Sequence, residues 1–268
     1  MPGMGLVAGG SPALFAYPHG RVAGDHTNQA TTGQTTKTAI GHREYSGAAL
    51  VAELQPDRFA VERQHMVETQ VRARGISDQR LLNAMATVPR HEFVDPRYHD
   101  QAYEDHPLPI AAGQTISQPY IVALMLDLLQ LESSAKVLEI GTGCGYQTAL
   151  LTQLAKHVYT VERHAELARQ AAETLSRLGL TNFTVVTGDG SKGLPEHAPF
   201  DAIIVSAAAM QVPPALFEQL REGGRMIIPV GPPEAQELQL VRKQGGKALT
   251  VLREGCRFVP LVSGGDPA

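Results

Sequence analysis

The sequence predicts an α/β fold built on a doubly wound, mostly parallel sheet, and two observations carry the prediction. From Lys136 onward, short apolar runs alternate with longer amphipathic ones at the spacing of strand–helix–strand units. The first of these runs, KVLEI at 136–140, leads straight into Gly141-Thr142-Gly143-Cys144-Gly145. A glycine-rich turn between a strand and a helix is where such sheets bind ligands.

Composition narrows the function classes. A chain of 268 residues, 43% of them hydrophobic, can bury one large core. The formal net charge of −4 leaves no basic excess for neutralising phosphates, which argues against a mainly electrostatic nucleic-acid binder. Two cysteines, Cys144 and Cys256, make neither a disulfide framework nor a cysteine-rich metal site and read as free thiols. No apolar run approaches the roughly 20 residues that span a bilayer. The opening lacks the basic start and compact apolar stretch of a signal peptide. The expectation is a cytoplasmic monomer without membrane or nucleic-acid partners.

Residues 1–56 are rich in Gly, Thr and polar side chains that cannot readily repay the entropy of ordering, and read as a flexible extension. A single domain is expected over 57–264, with a helical substrate-side segment at 57–131 and an α/β core at 135–264. The first segment has helical character from Phe59 to Arg74, with Phe59, Met66 and Val67 facing a core. A second helix runs to about Thr87, its start assigned to Ser77 as the capping hydroxyl. After a polar, proline-rich connection, a buried helix is expected within 118–131, with Pro119 tolerated in its first turn. In the core, strands are expected at KVLEIG, HVYTVE, FTVVTGD, FDAIIVSA and GRMIIPVG, and helices at QTALLTQLA, AELARQAAETLSRLG and PPALFEQL. ELQLVRKQ and KALTVLREGCRFVPL, joined at Gly245 and Gly246, read as an antiparallel hairpin beside the parallel sheet.

Candidate binding residues gather at the carboxyl ends of successive strands. Gly141, Gly143 and Gly145 at alternate positions let the chain turn tightly and approach a ligand. Glu162 closes the second strand, where a carboxylate can accept hydrogen bonds from both hydroxyls of a ribose. Asp189, in Gly188-Asp189-Gly190, closes the third and suits an adenine amino group, with an ordinary Asp-Gly turn as the alternative. The set fits an adenosine-containing ligand, a nicotinamide dinucleotide or S-adenosylmethionine. Absence of the GxGxxG continuation, together with the third-strand GDG, tilts the choice toward methyl transfer. His91, His99 and His106 match no compact ligand spacing, and no metal is expected.

From about Arg63 to Leu261 the chain resembles the bacterial protein-L-isoaspartate O-methyltransferases. The matching text is ISDQRLLNAMATVPRHEFV, YEDHPLPIAAGQTISQPYIVALM, KVLEIGTGCGYQTALL, VYTVER, GDGSKGLPEHAPFDAIIVSAAA, GGRMIIPVG and RFVPL. GQTISQPYIVALM is the most specific of these. The resemblance implies a Rossmann-like, class I S-adenosylmethionine-dependent methyltransferase. Its implied acceptor is the free carboxylate of L-isoaspartyl residues in damaged proteins, with D-aspartyl residues left open. It implies Glu139, Gly141, Gly143, Gly145, Glu162, Asp189 and Gly190 for the cofactor, and Thr115, Ile116 and Ser117 for the acceptor, with Ser117 as the active-site residue. The chain departs from the family pattern at Cys144, at Cys256 and in its long amino-terminal arm.

The implied chemistry needs no strong base. The acceptor carboxylate, with an ordinary pKa near 4, is already ionised at neutral pH. It attacks a sulfonium-bound methyl group in line, and the resulting ester lets the neighbouring backbone nitrogen close a succinimide. Ser117 is therefore expected to orient the carboxylate and not to act as a nucleophile, with helix capping before Pro119 as its alternative role. A methyltransferase for another acceptor, a nicotinamide-dependent oxidoreductase and a non-catalytic S-adenosylmethionine-binding protein remain the rival readings.

Overall fold

The structure, a computed structural model, describes residues 58–264. The extension expected over 1–56 lies outside the described residues. Helix α1 (Arg58–Met66) buries Met66 and continues through a wide turn at Val67–Val71 and a tight one at Arg72–Arg74, which Gly75 ends with φ 96°. Helix α2 (Gln79–Thr87) buries Leu81, Leu82, Ala84 and Met85. Its cap is Asp78, whose carboxylate accepts from the Arg80 and Leu81 amides, and not Ser77 as the sequence suggested. The helix begins at Gln79, so Ser77 lies one residue outside the capping position.

Two short antiparallel strands, β1 (Leu108–Pro109) and β2 (Thr115–Ile116), pair Leu108 with Ile116 and Pro109 with Thr115. Helix α3 (Pro119–Leu129) follows, with proline in its first turn and Gln130 ending it at φ 48°. The core then alternates strand and helix: β3 (Lys136–Ile140), α4 (Tyr146–Leu154), β4 (His157–Glu162), α5 (Ala165–Arg177) and β5 (Phe183–Thr187). After β5 come β6 (Phe200–Val205), α6 (Pro214–Glu218) and β7 (Leu220–Val230). The hairpin β8 (Gln236–Gln244) and β9 (Lys247–Cys256) ends the sheet, whose order is β5-β4-β3-β6-β7-β8-β9. β5, β4, β3, β6 and β7 are parallel, and the hairpin is antiparallel.

Strand alternation divides the core in two. Val137, Ala202, Ile204 and Ile227 join one cluster, together with Tyr146, Leu150 and Leu154 of α4 and Leu175 of α5. Leu138, Ile140, Ile203, Val205, Met226 and Ile228 join the other, with Leu216 of α6. Successive side chains on a strand face opposite ways, so near-continuous apolar strands demand cover on both faces. β7 starts earlier than the sequence suggested and shortens α6. Leu220 already pairs with Phe200, and the register shifts before Arg225 pairs with Ala202. Gly223, at φ 75°, lies within that irregular stretch.

The helical segment is tied to the core by side chains reaching carbonyls. Arg80 donates to Leu131 O at 2.8 Å and Leu154 O at 2.6 Å. Asp78→Ala is expected to cost about 1 kcal/mol, and Ser77→Ala to stay within about 0.5 kcal/mol. Urea denaturation of both variants checks this, and equal losses would return the cap to Ser77.

Candidate active site

The helix following β3 packs on one face of the sheet and the helix following β6 on the other, so their loops diverge and leave a crevice between neighbouring strand ends. Gly141, Gly143 and Gly145 take φ of 90°, 55° and 92°, a left-handed backbone that costs an ordinary residue about 1–2 kcal/mol. Gly190 meets a different demand, because a Cβ there would lie 2.4 Å from Ile140 Cγ2.

The crevice holds a cavity with about 930 Å³ of empty volume, counting its open mouth. Ile140, Val161 and Val122 give it apolar wall, and Gly141, Thr142, Gly143, Glu162 and Gly190 border it from the strand ends. Thr115, Ile116 and Ser117 close one side, and Val259 to Val262 another. The latter segment is held to the loop after β6, since Ala208 N donates to Val259 O and Leu261 N to Ala208 O, both at 2.7 Å. Glu162 is buried, and its Oε2 accepts from the Gly143 amide at 2.9 Å and its Oε1 from the His164 amide at 3.0 Å. An ionised carboxylate offers about four acceptor positions, so Glu162 can fix the loop and still receive two donors from the cavity.

Three predicted residues do not line this cavity. Glu139 is fully buried, with Oε1 accepting from Gln147 Nε2 at 3.0 Å and Oε2 from Thr148 Oγ1 at 2.5 Å. Burial pushes its pKa up to about 7 against the opposing hydrogen bonds from Thr148, Thr160 and Gln147. Gly145 starts α4 and packs on α5, where a Cβ would meet Ala171 Cβ at 3.3 Å. Asp189 caps the turn Gly190–Lys192: Oδ1 accepts from Ser191 N and Oγ, and Oδ2 from Gly264 N. Burial raises the Asp189 pKa, but hydrogen bonds from Ser191 and Gly264 outweigh it and hold the carboxyl below its ordinary value. The Asp-Gly turn weighed from the sequence is the arrangement observed.

A second cavity adjoins the first, with about 1,850 Å³ of empty volume including its mouth. Arg74, Pro107, Tyr120, Glu254, Cys256 and Arg257 are among its walls, and Thr115, Ser117, Ser206 and Val259 border both cavities. Ser117 thus stands on the shared wall. The capping role weighed for it falls elsewhere: Gln118 occupies the cap position of α3, and Asp105 Oδ1 accepts from Tyr120 N at 3.2 Å. Ser117 O accepts from Arg90 Nη2 at 2.8 Å, while its hydroxyl makes no hydrogen bond among the described residues. Tyr120 both packs and lines the cavity. The Arg74 guanidinium lies 3.1 Å from its ring centroid, and its hydroxyl donates to Glu254 Oε1 at 3.0 Å.

Cys144 and Cys256 are free thiols, each pushed up to about 11 by burial. His91 stacks on Phe59 at 4.0 Å between centroids, meets His99 edge-on at 5.6 Å, and hydrogen-bonds Tyr103. Among the described residues no three His, Cys, Asp or Glu side chains gather as a metal site. Sequence reasoning missed Gln147, Ser206 and the Val259–Leu261 covering segment. Ser206 comes directly after β6 beside the glycine loop, so extending the strand-end argument to the fourth strand would have found it.

Because the folded-state pKa of Glu139 is raised, its contribution to stability is complete below the ordinary value of 4.5 and is lost as pH rises through about 7. Glu139→Gln is therefore expected to gain stability relative to the unmodified protein between pH 5 and pH 8. Urea denaturation at both values tests this, and a difference independent of pH would contradict it.

A seven-stranded sheet that opens onto a glycine loop beside its central strand, and closes at one edge with an antiparallel hairpin, is the architecture of the class I methyltransferases. A sequence profile for protein-L-isoaspartate(D-aspartate) O-methyltransferase matches residues 61–266, and the chain belongs to that family. It is 61% identical over 204 residues to the protein-L-isoaspartate O-methyltransferase of Koribacter versatilis (strain Ellin345), covering 76% of this chain and 92% of that one. Identity to the like-named protein of Methanoculleus marisnigri is 51% over 209 residues, covering 78% and 95%. A solved protein-L-isoaspartate O-methyltransferase superposes with TM-score 0.67 at 30% identity, over 76% of this chain and 67% of that chain. A Plasmodium falciparum protein of the same description, in complex with S-adenosyl-L-homocysteine, gives TM-score 0.67 at 26% identity, over 75% and 99%.

Proposed function

We propose that the chain transfers the methyl group of S-adenosylmethionine to the free carboxylate of L-isoaspartyl residues in damaged proteins and peptides, initiating repair through a succinimide. The observation that carries this reading is Ser117 on the wall between a cofactor-sized crevice and a second, wider cavity, in a chain of this family. The crevice suits the donor. Its strand-end backbone at Gly141 and Gly143 permits close approach, Glu162 keeps acceptor capacity for a ribose diol, and Ile140 and Val161 offer apolar wall. When bound, S-adenosylmethionine supplies a methyl group made electrophilic by its sulfonium. Asp189 acts at one remove, by fixing the turn that carries Gly190 into the wall.

The residues around Ser117 hold an anion in place; they do not remove a proton. Ser117 offers a hydroxyl donor, and its backbone is fixed by Arg90. The Val259–Leu261 segment covers the junction and keeps water from the carboxylate, whose hydration opposes attack. Pre-alignment of this kind is worth up to about 7–11 kcal/mol in well-oriented systems. The acting unit is taken as a cytoplasmic monomer without nucleic-acid or membrane partners. The formal net charge of −4 supports the lack of a nucleic-acid partner, and both cavities are walled by one chain. Among the described residues no helix is long and apolar enough to cross a membrane.

The test is methyl transfer to an isoaspartyl peptide compared with its aspartyl twin, with a D-aspartyl peptide as a third arm. Only the abnormal linkages should accept label, and equal labelling of the aspartyl twin would refute the reading. Ser117→Ala should lower the transfer rate by about tenfold or more while cofactor affinity changes little. Glu162→Ala should weaken the dissociation constant for S-adenosylhomocysteine by about tenfold, measured by calorimetric titration. An unchanged constant would remove Glu162 from the site.

A further inference from the structure

The cavity wall carries a second hydroxyl that the proposed mechanism leaves unused. Ser206 directly follows β6, borders both cavities, and lies beside the glycine loop, where a Cβ on Gly141 would sit 3.5 Å from Ser206 Cβ. Its Oγ accepts a hydrogen bond from Gln147 Nε2 at 2.8 Å, and the same nitrogen donates to Glu139 Oε1 at 3.0 Å. Both hydrogens of that amide are thus committed. The other oxygen of Glu139 accepts from Thr148, so the carboxylate presents only acceptors to its neighbours.

This chain fixes the polarity of Ser206. Turning the Gln147 side chain over would place its carbonyl oxygen against a buried carboxylate, two acceptors facing each other with no proton between them. With Glu139 ionised, as it is at pH 8 above its pKa of about 7, Gln147 donates to Ser206 and Ser206 accepts. The serine proton is left over, and among the described residues it has no acceptor. It lies on the wall shared by the two cavities.

We propose that Ser206 is a second acceptor-facing donor, binding the isoaspartyl carboxylate together with Ser117, and that Glu139 and Gln147 are positioning residues that leave its proton no other partner. This rests on the isoaspartyl reading given above. It reassigns Glu139 from the cofactor to the acceptor side, through two hydrogen bonds.

The experiment is steady-state methyl transfer to an isoaspartyl peptide at pH 8, with S-adenosylhomocysteine binding measured separately on each variant. Ser206→Ala keeps the Cβ that faces Gly141 and removes the hydroxyl, both its proton and its acceptance from Gln147. Its kcat/KM for the peptide should fall about tenfold, the scale of one hydrogen bond to a charged group, while the S-adenosylhomocysteine dissociation constant stays within about twofold. Ser206→Thr, which retains the hydroxyl, should restore kcat/KM to within about threefold of the unmodified enzyme. Glu139→Gln supplies an amide that can donate to Gln147, letting Gln147 turn over and accept the serine proton. It should lose about as much kcat/KM as Ser206→Ala, and the double variant should lose no more than either alone.

Unchanged kcat/KM in Ser206→Ala overturns the proposal, as does a weakening of S-adenosylhomocysteine binding that matches the kinetic loss. Multiplying losses in the double variant overturn the positioning role. If Glu139→Gln fails to bind S-adenosylhomocysteine, Gln147→Leu replaces it in the same cycle. Failure of the unmodified enzyme to label the isoaspartyl peptide would overturn the function itself, an outcome distinct from an active enzyme indifferent to Ser206.

Discussion

Arg90 is a guanidinium entirely removed from water, and its need for partners ties the segment that carries Ser117 to the helix after the glycine loop. Burial pulls its pKa down, against the partial compensation from Tyr146, Cys144 and Tyr103. A buried charge costs several kcal/mol unless fixed dipoles replace its hydration. Here they come from three places: Ala102 O at 2.7 Å, Ser117 O at 2.8 Å, and the ring of Tyr146 with its centroid 4.8 Å from the guanidinium carbon. These belong to the helical segment, the acceptor loop and the first residue of α4. Nη1 has no hydrogen-bond partner among the described residues, so the loss of any of the three would leave the cation still less compensated. The position of Ser117 relative to the glycine loop follows from that requirement.

A second buried ionisable group works from the sheet side. Glu139 lies one residue before the end of β3 and receives Gln147 and Thr148 from the first turn of α4. Strand, loop and helix are thereby held as one unit, and Glu162 adds the neighbouring strand by accepting from Gly143. The glycine loop is consequently rigid at both ends despite its left-handed residues. Such preorganisation suits a reaction whose acceleration comes mainly from alignment.

The fold was legible because its strands are apolar on both faces and its helices are long enough to show a period. The GG turn, the proline at the start of α3 and the glycine loop all carried local chemistry that sequence records directly. Cap assignment failed at Ser77 because two capping residues stand side by side, and only the position of the first helical turn decides between them. Positions on the cavity wall were legible where a backbone demand selected them, as at Gly141, Gly143 and Gly190. Glu139 and Asp189 sit at plausible strand ends, yet their side chains turn into the protein to satisfy amides and hydroxyls. Sequence position fixes where a strand ends but not which way an acidic side chain finds its donors. Ser206 and the covering segment went unseen because their proximity to Ser117 comes from pairings remote in sequence, such as the bridge between Ala208 and Pro260.

Under the proposed assignment of Ser117 and Ser206 to the acceptor, hydroxyls at the shared wall suit how charge changes in the reaction better than a cation would, though a cation would bind a carboxylate more tightly. An anion and a sulfonium cation meet, and both charges diminish as the new bond forms. A guanidinium aimed at the carboxylate would stabilise the separated charges more than the state in which they have partly cancelled, and would slow the step it appears to assist. Neutral donors orient the oxygen at a smaller penalty. Of the arginines that border the two cavities, Arg74 is taken up by Asp105 at 2.9 Å and by the ring of Tyr120, Arg163 donates to Gly264 O at 3.0 Å, and Arg257 stands on the wall of the second cavity. The same logic favours release, since a neutral ester accepts more weakly than the carboxylate it replaces. A wall of serines therefore suits both the alignment of the reactant and the departure of the product.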